Sequence, residues 1–187
     1  PLLASYPELI TDYGLTDIAA ERFDAGVRVG GMVAADMVAV PIAPPMRLMT
    51  VAAPAYLARA GSPTTPDALP QHRCINLRLP THGGLYAWEF SKAGRESRVR
   101  VNGPLIMNSS LQILDACLGG IGLAQLPNAL VEPHLAAGAL VEVLADYPPP
   151  PMPLAILYPQ KRHQSQPLRL FADWLGQLVA DLGITSP

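Results

Sequence analysis

The chain has 187 residues, half of them apolar and 15% charged, a mixture that can bury a core and excludes intrinsic disorder. Its 13 basic and 15 acidic residues leave a net charge of −2, which argues against a surface built to hold a polyphosphate backbone. No apolar run approaches the ~18 residues of a membrane span, and the sequence opens on Pro1 with no secretory pattern, so it reads as a fragment of a longer protein whose N-terminus says nothing about targeting.

Leu2 to Ala4 reads as a helix tail ended before Pro7, and Leu9-Ile10-Thr11 as a short strand. Leu15, Ile18, Ala19 and Phe23 recur at helical spacing, with Thr16 or Asp17 able to cap the start. Val27-Arg28-Val29 alternates like a strand and runs into Gly30-Gly31. Strand, helix and strand in that order predict a βαβ unit and a parallel sheet. Met37 to Ile42 and Met46 to Ala52 are two further strands, separated by Pro44-Pro45.

Pro54 to Leu57 opens a short helix with proline where its missing N–H costs little. Thr65 to Leu69 reads as a capped helical turn and Cys74 to Leu79 as a strand. Tyr86 to Phe90 and Ser97 to Val101 both alternate about a turn at Lys92-Ala93-Gly94, which predicts an antiparallel hairpin. Asn108-Ser109-Ser110 precedes a buried helix ended by Gly119-Gly120. A strand over 123–126, a helix to Gly138 and a strand over 140–144 follow. After the stiff run Pro148 to Pro151 come one strand, Leu154 to Tyr158, and one amphipathic helix carrying Leu168, Phe171, Leu175 and Leu178 on one side. That orphan strand and helix suit two lobes crossed twice by the chain, near Met49–Ala53 and Pro150–Leu154.

The chemistry-bearing residues point away from catalysis. Ser109 and Ser110 lack the flanking glycines of a nucleophile elbow. His72, His82, His134 and His163 match no zinc spacing, and no metal or cofactor is expected. Gly119, Gly120 and Gly122 follow a helix and precede a strand, the wrong polarity for a dinucleotide cradle. Cys74 and Cys117 read as small buried residues, with a redox pair as the sharper alternative. Asn108, Ser109 and Ser110 stand at a helix N-terminus, where free N–H groups favour an anion or carbonyl. Asn108 could equally serve only as a cap, and Arg28, inside a strand, could equally pair with Asp24.

The string from Asp12 to Gly30 resembles the first-lobe signature of the effector-binding domain of LysR-type transcriptional regulators. Ala53-Pro54-Ala55-Tyr56-Leu57 resembles the helix start of that family's second lobe. Cys74 to Arg78, Tyr86 to Phe90, Gly120 to Pro127 and Leu157-Tyr158-Pro159 follow in the family's order. The interval from Tyr6-Pro7 to Phe23-Asp24 is several residues shorter than usual, and the family's DNA-reading winged helix-turn-helix is absent from this sequence.

The resemblance implies an α/β fold of two Rossmann-like lobes joined by two crossovers, like periplasmic binding proteins of type II. Lobe I would comprise 1–50 and 153–187, without its first strand, and lobe II 52–150. It implies a sensor, not an enzyme, that forms a homodimer or higher oligomer and reaches DNA only through the missing N-terminal part. The alternative is a periplasmic-type solute-binding protein of the same fold. The effector is expected between the lobes, against Thr16, Gly30, Gly31, Asn76, Arg78, Asn108 and Ser109, with apolar walls from Leu126 and Tyr158. Two arginines, Arg28 and Arg78, with an amide and hydroxyls suit a small carboxylate or other polar metabolite.

Overall fold

In the computed structural model, residues 8–11, 18, 20–30, 36–79, 84–160 and 166–181 are described. Contacts divide the chain into two compact units, Pro1–Met46 with Met152–Pro187, and Arg47–Pro151. The chain thus changes unit at 46/47 and at 151/152, where the sequence reading set 50/52 and 150/153.

In the first unit, β1 (Gly26–Val29), β2 (Met37–Met46) and β10 (Met152–Pro159) form a sheet in the order β1-β10-β2. The expected parallel βαβ arrangement is corrected here. β10 enters from the far end of the sequence and lies antiparallel to both neighbours, Gly26 opposite Leu157 and Val40 opposite Ile156. Leu9–Thr11 is not a strand: its three residues are exposed, Leu9 at 80%, and three residues with two adjacent apolar ones cannot bury a face. The helix expected over 15–23 falls mostly outside the described residues. The described residues there form a turn, in which the Phe23 N–H donates to the Ile18 carbonyl at 2.9 Å and Arg22 adopts φ +61°.

The prolines do not split β2. The strand runs through Pro41, Pro44 and Pro45 to Met46. It is outermost among the described strands, and its pairing to β10 shifts register opposite Ala43 to Met46. An edge and a bulge are the two places where a strand tolerates a missing N–H donor. Helix α4 (Gln166–Asp181) packs Leu168 against Ile42, Ile156 and Tyr158, with Phe171 and Leu175 beside them. The predicted spacing on its apolar face accounts for this.

The second unit is built on β3 (Leu48–Ala52), β4 (Ile75–Leu77), β7 (Leu105–Met107), β8 (Ala124–Pro127) and β9 (Val141–Glu142). β8-β3-β9 pair antiparallel and β4-β7 parallel, and a parallel bridge from Cys74 to Leu123 joins the two sets. Both faces of β3, β4 and β8 are largely buried, which explains their nearly continuous apolar sequence. Val51, Ile75, Ala124 and Leu126 pack on one face with α2 (Ser110–Leu118) and α3 (Asn128–Ala136) through Ile113, Cys117 and Val131. Ala52, Cys74 and Leu123 pack on the other with Tyr56 of α1 (Pro54–Ala60), Trp88 of β5 (Trp88–Lys92) and Phe90.

β5 and β6 (Arg95–Val99) form the predicted hairpin, Lys92 opposite Arg95. The Tyr56 hydroxyl accepts the Arg73 N–H at 2.9 Å, and the Arg59 guanidinium donates to the Gly120 carbonyl at 3.0 Å. These bonds fasten α1 to the entry of β4 and to the end of α2. At that end Gly120 takes φ +70°, and the Ile121 and Gly120 N–H groups donate back to Ala116 and Cys117.

Candidate functional site

β4 and β7 run side by side in the same direction, Leu77 opposite Met107. The Arg78 N–H donates to the Met107 carbonyl at 2.7 Å, so Arg78 and Asn108 are the first residues beyond two adjacent strand ends. Strand alternation puts Asn76, Arg78, Ile106 and Asn108 on one sheet face, while Ile75, Leu77, Leu105 and Met107 turn to the α2 side. Ser109 then caps α2, and the structure brings Arg78, Asn108 and Ser109 together at this edge. Arg78 and Asn108 are exposed and Ser109 is half-buried.

Ser109 occupies the N-cap position, and its side chain makes no capping hydrogen bond. The first-turn N–H groups of α2 therefore receive no help from it, and they and the helix dipole face the same edge as Arg78.

Asn76 lies deeper, 2% exposed, and its Oδ1 has no hydrogen-bond partner. It lines a cavity of about 370 Å³ with Leu85, Tyr86, Arg100, Val101 and Asn102. The Tyr86 hydroxyl is also buried and without a partner. Burial pushes its pKa well above the usual phenol value, and the neighbouring Glu89 carboxylate pushes it further. Glu89 itself is held by Arg98 at 2.8 Å.

Of the other expected site residues that are described, Leu126 belongs to the second unit and Gly30 and Tyr158 to the first. Leu126 is buried on the opposite face, between α2 and α3, as a core residue of the second unit. Tyr158 is buried in the core of the first unit. Gly30, at φ +109°, donates its N–H to the Pro153 carbonyl at 2.9 Å, so it adjoins the start of β10 whereas Tyr158 lies near its end. The five intervening steps span roughly 16 Å of strand, so the structure does not bring Gly30 and Tyr158 together. Thr16 and Gly31 lie outside the described residues.

Sequence reasoning missed Tyr86, Arg100 and Asn102. The signal for Tyr86 was present: it shares the alternation of Trp88 and Phe90 and so belongs to the inward face of its segment, where a hydroxyl needs a partner. Among the described residues no group of three His, Cys, Asp or Glu side chains could hold a metal ion. No described helix is long and apolar enough to cross a membrane. Cys74 and Cys117 are free and buried, and desolvation pushes both thiols up to about 12.

Comparison with known proteins bears on this arrangement. The family described as "LysR substrate binding domain" matches residues 8–180. A putative transcriptional regulator of Pseudomonas aeruginosa is 45% identical over 179 residues, covering 94% of this chain and 58% of the relative. The HTH-type transcriptional regulator PgrR of Escherichia coli is 42% identical over 177 residues, covering 92% and 59%. This chain thus spans little more than half the length of these relatives. Among solved structures, the full-length Vibrio cholerae virulence activator AphB superposes with a TM-score of 0.76 at 26% identity, covering 91% of this chain and 57% of that one. The fold is the two-lobed α/β fold of periplasmic binding proteins of type II, and the chain belongs to the LysR substrate-binding domain family.

Proposed function

We propose that this chain is the small-molecule sensing part of a LysR-type transcriptional regulator, with the two units as its regulatory lobes. The carrying observation is the convergence of Arg78, Asn108, Ser109 and the α2 N-terminus beyond two adjacent parallel strand ends. In open α/β sheets that is where ligands bind. Relatives named as transcriptional regulators support this reading over a transporter-linked solute-binding protein. The role is binding without chemistry on the ligand, and the effector is a small carboxylate or other polar metabolite. Arg78 offers a permanent cation and the helix end a positive dipole. Asn76 and Gly30 remain proposed contributors, each within its own unit, and so do Thr16 and Gly31.

Effector binding acts by population shift: it biases subunit arrangements only as far as it prefers one over another. The full-length protein binds DNA through an N-terminal winged helix-turn-helix and works in the cytoplasm as a homodimer or larger oligomer. In this chain, exposed Val27 and Val29 on an outer strand and exposed Trp174 on α4 are apolar groups that self-association would cover.

The test is a reporter under the regulator's own promoter, with Ser109→Trp in the full-length protein. Response to effector should vanish, while stability changes by no more than about 1 kcal/mol, as for changes outside the core. An unchanged response in a folded variant would remove the site.

A further inference from the structure

We propose that β6 is a pairing edge for a second copy of this chain, the two β6 strands meeting antiparallel about a twofold axis through Ser97. The contact is independent of the sensing reading and of the apolar groups on β1 and α4.

The open edge follows from the hairpin. Along antiparallel strands, hydrogen-bonded and non-hydrogen-bonded pairs alternate. The two-residue turn makes Lys92 and Arg95 a bonded pair, and Phe90 with Ser97 the next, whereas Ser91–Glu96 and Glu89–Arg98 are not bonded. The outer side of β5 has the same phase. There the Ser91 N–H donates to the Pro148 carbonyl at 3.1 Å, and the Glu89 carbonyl accepts from the Gln125 side chain at 3.1 Å. On β6 the matching N–H and C=O groups, those of Glu96 and Arg98, point away from β5. Among the described residues no strand pairs with that side, and no backbone group bonds to them. Arg95, Glu96, Ser97 and Arg98 are all exposed.

An edge lined with charge usually refuses other strands. Here the charges select one register. A second β6 can bond only where outward-facing residues meet outward-facing residues. Centring the pair on Glu96 or on Arg98 sets like charges face to face, which destabilises a sheet. Centring it on Ser97 sets Glu96 opposite Arg98 of the second copy, and by symmetry Arg98 opposite Glu96. Both side chains stand on the outer face of the hairpin, away from buried Trp88 and Phe90. Arg98 holds Glu89 there at 2.8 Å, and its five-donor fork can take a second carboxylate. Glu96 makes no ion pair among the described residues, so the contact supplies the partner it lacks.

Disulfide trapping in the otherwise intact chain tests the register, since Cys74 and Cys117 are buried. In the proposed pair Ser97 faces its own copy across a non-hydrogen-bonded position, with Cα atoms about 4.5 Å apart, within disulfide reach. Arg95 is exposed on the same strand face, but four residues, roughly 13 Å of strand, separate it from its own copy. Under mild oxidation at high micromolar chain, Ser97→Cys should cross-link at least about fivefold faster than Arg95→Cys. In the Ser97→Cys background, Glu96→Arg and Arg98→Glu should each slow cross-linking about fivefold or more, because every facing pair then carries like charge. Mixing those two variants should restore it between unlike chains, where each arginine again meets a glutamate. Association through other surfaces favours neither position 97 nor the mixture. Absent cross-linking at 97, a rate at 95 equal or greater, or a mixture no faster than its separate components would overturn the proposal.

Discussion

At the scale of single residues, the two cysteines show how burial silences chemistry. With a pKa pushed up to about 12, roughly one thiol in 10⁵ is ionised at neutral pH. The thiolate is the reactive species. Native protein should therefore react negligibly with a thiol-specific disulfide reagent, and denaturation without reductant should release two sulfhydryls. Rapid native labelling would show that one cysteine is accessible. Gly122 makes the opposite point about space. A Cβ there would overlap the Arg73 carbonyl, which accepts the Leu123 N–H at 2.8 Å. Gly122→Ala should cost more than about 2 kcal/mol by chemical denaturation, in the range of severe backbone and packing lesions. Asn76 was legible as a polar residue inside an apolar strand, because composition alone marks the anomaly. Arg100 was not, since nothing local distinguishes a pocket-rim arginine from a solvated one.

At the scale of elements, the hairpin of β5 and β6 closes with Ala93 at φ +51° and Gly94 at φ +76°. Both signs are positive, as in a type I′ turn, where Asn-Gly is the favoured pair and alanine is strained. Ala93→Asn should raise stability by roughly 0.5–1 kcal/mol, measured as a shift in denaturation midpoint at constant slope. The start of α2 gives a sharper discrimination. Removing a working N-cap usually costs ~1 kcal/mol. Since Ser109 makes no capping bond, Ser109→Ala should cost under ~0.5 kcal/mol, and a full cap-sized loss would return this residue to a structural role.

Elements whose signal is local were readable: the hairpin from alternation about a turn, and α4 from its apolar stripe. Strand direction was not. The pairing of β1 with β10 joins residues more than a hundred positions apart, and period-two alternation is the same in parallel and antiparallel sheets. The prolines of β2 misled for a related reason, because they forbid a central strand and permit an outer one, a distinction made only by tertiary structure.

At the scale of the whole molecule, net charge −2 gives this chain no counterion-release drive toward DNA. Alone it should produce no salt-sensitive shift of an operator fragment, and it should sediment as dimer or larger at high micromolar concentration. A salt-sensitive shift, or a strictly monomeric boundary, would contradict the corresponding half of that expectation. The two tryptophans fall one in each unit: Trp88 is 1% exposed in the second and Trp174 48% exposed in the first. A chain ended at Pro151 keeps only Trp88 and should retain its blue-shifted emission. The same truncation should reduce solubility, because β1 and β2 lose the strand that lies between them and are left with unpaired edges.

The position of β10 in the middle of its sheet also has a meaning in time. During synthesis the second unit, continuous from Arg47 to Pro151, emerges from the ribosome before the central strand of the first unit does. β1 and β2 are made early and must wait, unpaired, for more than a hundred further residues. The first unit to be started is therefore the last to be finished, and its closure by β10 is the step at which a nascent chain is most exposed to aggregation and to chaperone capture.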